Sequence, residues 1–186
     1  MNINYFLTLS TRKIFLLLVL TPIIMQLALV NIVQAVSDER LYYFLFFIFW
    51  LLCFPYFYWL NAAVRFLYNN KKNNNFKIDF INFKISLLVN LITVFNFIFF
   101  VAYIFSFIDS GESPNINIIG FMGFIQFIGV VSFAYNGYFI SKLLATLDLE
   151  KKVYFSDISG NFILFSFPLA SVWIIQGKIR KMLGDV

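Results

Sequence analysis

The side chains of this sequence that could do chemistry are few and poorly grouped. Asp109 and Glu112 stand three residues apart beside Pro114, where two carboxylates could share acid–base work on a turn. Asp148, Glu150 and Asp157 alternate with Lys151 and Lys152 and read as solvated charge. Cys53 is the only cysteine, so it has no intrachain disulfide partner, and it lies in an apolar run where a thiol behaves as a small hydrophobe. There is no histidine, which removes the commonest metal ligand and the commonest general base. Gly120 and Gly123 also lie in an apolar run, out of reach of phosphate. The expectation is a protein with no catalytic residues, no metal and no cofactor.

The neutral polar residues are better ordered. At about 100° per residue, Ser86, Asn90, Thr93 and Asn96 fall within about 120° of arc on one helix. Thr21, Ala28, Asn31 and Ala35 share a face of another, and Gly120, Gly123, Ala134, Gly137 and Ser141 line a third, with Asn136 beside them. Small residues let backbones approach closely, and Asn or Thr can bond across helices, so helix packing is the plain reading. The sharper reading is a polar cavity or pore lining, open to the cytoplasm, made by Thr21, Asn90, Thr93, Asn96 and Asn136. The face of Gly120, Gly123, Ala134, Gly137 and Ser141 is expected to form the tightest helix interface.

The elements that must position these residues follow from composition. Of the 186 residues, 61% are apolar and only 12% charged, against about 45–50% and about 25% in soluble domains. The fold class expected is all-α, an integral membrane bundle forming a single domain. Four stretches reach the roughly 20 apolar residues that cross a bilayer: Ile14–Val36, Leu41–Val64, Ile85–Ile108 and Ile118–Ile140. Val33-Gln34-Ala35 has the small-residue spacing of a cleavage site, but the apolar run before it is longer than a signal peptide's, so a retained helix is expected. Pro22 and Pro55 should bend the first and second helices.

Placing both termini in the cytoplasm puts 13 of the 14 Lys and Arg on the inner side, among them Arg12, Lys13, Lys71, Lys72, Lys77, Lys84, Lys178, Arg180 and Lys181. The membrane expected is a bacterial inner membrane. The partner of these cations is the lipid surface, and no direct nucleic-acid binding is expected, because they are spread over every inner connection. Asn69–Asn75 reads as a solvated turn and Phe76–Lys84 as an interfacial stretch. Asn161–Gln176, sixteen residues with Pro168 in the middle, would extend only about 24 Å as a helix. A re-entrant or interfacial segment keeps its flanking cations inside; the alternative is a fifth span.

Phe155-Ser156-Asp157, Gly160-Asn161-Phe162, Phe167-Pro168, Trp173-Ile174-Ile175-Gln176 and Lys178-Ile179 resemble the carboxy-terminal signature of small uncharacterised multi-pass proteins of AT-rich Gram-negative bacteria. Gly177 stands where that pattern more usually has proline. In size and span count the chain is also similar to the membrane accessory proteins encoded beside RNA-targeting CRISPR nucleases. That resemblance implies modulation of a nuclease or depolarisation of the membrane. The function expected is a non-catalytic accessory or effector protein acting through helix packing, self-assembly or a cytoplasmic partner, with a pore as one form of assembly. The alternative is a small channel or carrier for a neutral or weakly polar solute, and a membrane enzyme acting on lipid comes third.

Overall fold

The computed structural model describes residues 3–35, 39–70, 80–149, 153–165 and 168–184. Its order is α1 (Ile3–Thr8), α2 (Thr11–Phe15), a π-helical turn (Leu16–Leu20), α3 (Thr21–Ala35), α4 (Glu39–Asn69), α5 (Phe80–Ser110), α6 (Ile116–Leu149), α7 (Phe155–Phe165) and α8 (Pro168–Leu183). Among the described residues there is no strand. Four helical segments are long and apolar enough to cross a membrane: Thr11–Ala28, Tyr43–Asn69, Phe80–Phe107 and Ile116–Leu149. At 1.5 Å per residue the 31-residue α4 is about 46 Å long, well over the hydrocarbon thickness.

Local chemistry sets the element ends. The Ser10 hydroxyl accepts a hydrogen bond from the Lys13 amide and starts α2. Pro22 lacks an N–H and its ring would crowd the carbonyl one turn back; the helix widens to a π turn just before it. The Thr21 hydroxyl donates to the Leu16 carbonyl across that turn at 2.9 Å. Pro55 is carried inside α4, which stays helical throughout. Gly111, at φ +70°, turns the chain out of α5. The carboxy-terminal segment differs from the single helix expected over Asn161–Gln176. Its described residues form two helices, and Pro168 stands at the first position of α8, where its missing N–H costs no helix bond. Asp157 is drawn from the solvated charge expected to a capping role, accepting from the Tyr154 amide at 2.9 Å. The expected solvated turn and interfacial stretch fall largely on residues 71–79, with Lys71, Lys72 and Lys77, outside the described residues; Phe80–Lys84 is already the first turn of α5.

The chain packs in sequence order, α3 on α4, α4 on α5 and α5 on α6. α7 lies against α6, and α8 against α1, α2 and α4. The hydrophobic core is concentrated toward one end of the bundle. It holds Ile14, Trp59, Val64, Phe83, Phe139, Leu143 and Ile175, with Phe139 stacked on both Phe83 (4.8 Å) and Tyr68 (6.4 Å). α8 runs parallel to α4, since Tyr56 meets Ser171 and Trp59 meets Gln176. Gln176 is fully buried and makes three bonds in one place: its Oε1 accepts from the Trp59 indole (3.1 Å), and its Nε2 donates to the carbonyls of Leu7 (2.9 Å) and Leu9 (2.8 Å). Lys178 pairs with Asp148 and fastens α8 to the end of α6.

Candidate binding cavity

α5 and α6 are joined along an antiparallel polar seam. The Ser86 and Ser132 hydroxyls lie 2.7 Å apart, and each also reaches the other's backbone carbonyl. Gln126 Nε2 donates to the Thr93 carbonyl at 3.3 Å, and Asn96 Nδ2 to the Met122 carbonyl at 3.1 Å. Between them the helices touch at Gly129, where a Cβ would stand 2.1 Å from Thr93 Cγ2. The stripe of Ser86, Thr93 and Asn96 thus does hold two helices together, as packing residues do.

Above the core, the same two helices open onto a cavity of about 580 Å³. Leu18, Val19, Pro22 and Ile23 wall it on one side; Cys53, Tyr56, Phe57 and Leu60 of α4 form another. Asn90 and Thr93 of α5, Gln126, Gly129, Asn136 and Gly137 of α6, and Ser171 of α8 complete it among the apolar residues. Among the described residues none that lines it is charged. Asn136 is 4% exposed, and neither its Nδ2 nor its Oδ1 has a hydrogen-bond partner. A volume of this size with a mainly apolar wall and a few neutral polar groups is typical of small-molecule sites.

Of the expected polar lining, the structure brings Asn90, Thr93 and Asn136 together at the cavity. It leaves Thr21 exposed and bonded within its own π turn, and Asn96 bonded to Met122 outside the cavity. Beyond the cavity residues Leu60 and Ile140, the same helices bury Val64, Leu67, Leu143 and Leu144 in the packed core.

Within the chain, most of the expected tight face of α6 does not meet another helix. Gly120, Gly123 and Ala134 are exposed, and a Cβ on either glycine would meet nothing within 4 Å. Gly137 lies half-buried on the cavity wall and Ser141 is buried. The small residues fall roughly 120° round α6 from the side that faces α5, so size alone pointed to the wrong side of the helix. Sequence reasoning also missed Gln126, Gly129, Tyr56, Ser171 and Gln176. A signal existed for two of them: Gln126, Gly129, Phe133, Asn136 and Ile140 share about 80° of arc.

The cations gather at the core end of the bundle. Arg12 and Lys13 lie exposed on α2, Lys84 sits 5.1 Å over the Phe80 ring at the start of α5, and Lys178, Arg180 and Lys181 occupy the last turns of α8. Comparisons with known protein families, with curated proteins and with solved structures find no match to this chain.

Proposed function

We propose that the chain is a non-catalytic multi-pass membrane protein that binds a neutral or weakly polar small molecule in this cavity, as its carrier or receptor. The observation that carries the reading is Asn136, a carboxamide with both polar atoms unpartnered on the wall of a largely apolar cavity. Leaving such a group unsatisfied costs about 1–3 kcal/mol, which packing has no reason to retain and a ligand would recover. The uncharged wall favours an uncharged ligand, because an ion there would find no counter-charge. Proteoliposomes holding the full chain should bind or pass a neutral probe saturably. Asn90→Leu and Asn136→Leu should reduce this while the protein stays folded. Saturation unchanged in both variants, or absent for every neutral probe, would refute the reading.

The membrane placement belongs to the same proposal: a bacterial inner membrane, four spans and both termini cytoplasmic. The gathering of Arg12, Lys13, Lys84 and the α8 cations at one end supports it. α8 supports a re-entrant tail. Its Ser171 shares the cavity with Asn136, which lies 13 residues, or about 20 Å, before the end of α6. From there α8 runs back toward the end of α4. Cysteine labelling at residues 73 and 185 should require access from the cytoplasmic side alone. A second reading, self-assembly as an accessory subunit, is favoured by the outward small face of Gly120, Gly123 and Ala134. Gly123→Leu should then lower the oligomer size without unfolding the chain.

A further inference from the structure

The cavity has a gap in its wall. Ile23 of α3 lines it yet is 44% exposed, and Val130 and Phe133 of α6 line it at 67% and 43% exposure. Among the described residues α3 packs on α4 and makes at most a marginal contact with α6. The opening therefore runs between α3 and α6. Val130 and Phe133 lie near the middle of the 34-residue α6, so in a bilayer the gap faces hydrocarbon and not water. The π turn and Pro22 shape the α3 side, since Leu18, Val19 and Pro22 all contribute to the wall. Toward the cationic end lies the packed core.

Resting on the proposed function, we infer that the ligand comes sideways out of the bilayer. It is an uncharged single-chain lipid whose head offers one hydrogen-bond donor and one acceptor. Size sets the chain number: about 580 Å³ at about 30 Å³ per water-sized group holds roughly 20 non-hydrogen atoms, enough for one acyl chain and a small head but not a two-chain phospholipid. Polarity sets the head. The Asn136 amide has a free donor and a free acceptor, the pattern that a primary amide or a protonated carboxyl group answers with two bonds at once. The apolar residues between Asn136 and the gap suit the tail, which is held inside the cavity as far as Ile23 and Val130.

The test uses the full chain in phosphatidylcholine nanodiscs with oleamide as probe, scored as oleamide retained per protein by mass spectrometry. Octadecene, octadecylamine and glycerol are the comparison ligands. Saturable binding of oleamide, with octadecene and octadecylamine much weaker, is the expected result. Asn136→Leu should weaken oleamide about tenfold. Val130→Trp, on an exposed position that cannot disturb the core, should slow binding severalfold by narrowing the gap. Octadecene binding as well as oleamide, or oleamide unaffected by either variant, would overturn the inference. If glycerol alone binds and does so through Asn136, the bilayer source is refuted while the neutral-ligand cavity stands. If none of the four binds, both fall.

Discussion

Gly129→Ala tests the packing of the α5–α6 seam on which the cavity depends. A Cβ at this position would lie 2.1, 2.6 and 2.7 Å from Thr93 Cγ2, Oγ1 and Cβ, where ordinary contact is 3.4–4 Å. Thr93 cannot simply turn away. Its β-branched side chain is stiff, its hydroxyl is bonded to the Val89 carbonyl at 2.9 Å, and its Cβ moves only with the backbone. The helices must part by about 1 Å or more, which overpacking of a closed interface makes cost about 1–3 kcal/mol. For a chain of this size that is a fall in Tm of roughly 2–4 °C per kcal/mol, read by thermal unfolding in detergent. The companion changes give the prediction its edge. Thr93→Gly removes all three clashing atoms and should rescue Gly129→Ala, whereas Thr93→Ala leaves the 2.7 Å contact and should rescue only in part. Gly123→Ala meets open space in a helix interior and should instead raise stability, by about 0.4–1 kcal/mol. If Gly129→Ala is neutral, or Thr93→Gly fails to rescue it, the close approach is not as described.

Other outcomes follow from separate contacts. Gln176→Leu leaves the Trp59 indole N–H and the carbonyls of Leu7 and Leu9 unpaired; it should cost about 3 kcal/mol and speed amide exchange at the amino terminus before anywhere else. Asn136→Leu in the ligand-free protein should raise Tm, since it removes two unpaired buried atoms, and a lower Tm would show that the side chain has a structural partner. Ser86→Ala together with Ser132→Ala should cost about 1 kcal/mol in detergent unfolding, because each interhelical bond inside a bilayer protein is worth about 0.6 kcal/mol. Lys178→Met should shift Tm by less than the equivalent of about 1 kcal/mol and lose even that effect in high salt, as the Asp148 partner is half exposed.

Long apolar stretches between charges made the four main helices legible in the sequence, and the observed windows overlap all four expected ones. Helix length depends only on local composition, so this part of the fold needed no partner. The tail was harder. Pro168 marked a break, but nothing local says that Gln176 would reach residues near the opposite end of the chain. The polar stripe of α5 was legible as a stripe, while its division was not: Ser86 and Asn96 meet partners on α6, and Asn90 meets a space whose shape depends on six elements at once. On α6 the small residues misled, because a glycine reports that a close approach is allowed, not that it occurs. Gly129 is the one that Thr93 fills against.

The Gln176 amide has a consequence for the order of assembly. The bonds it makes to Leu7 and Leu9 join positions 169 and 167 residues apart. The carbonyls of Leu7 and Leu9 therefore lack these partners until α8 has been made. A nascent chain stalled before α8 would hold its long helices but leave α1 loosely held, so protease should clip near Leu7 and Leu9 in stalled chains and spare them once α8 is made.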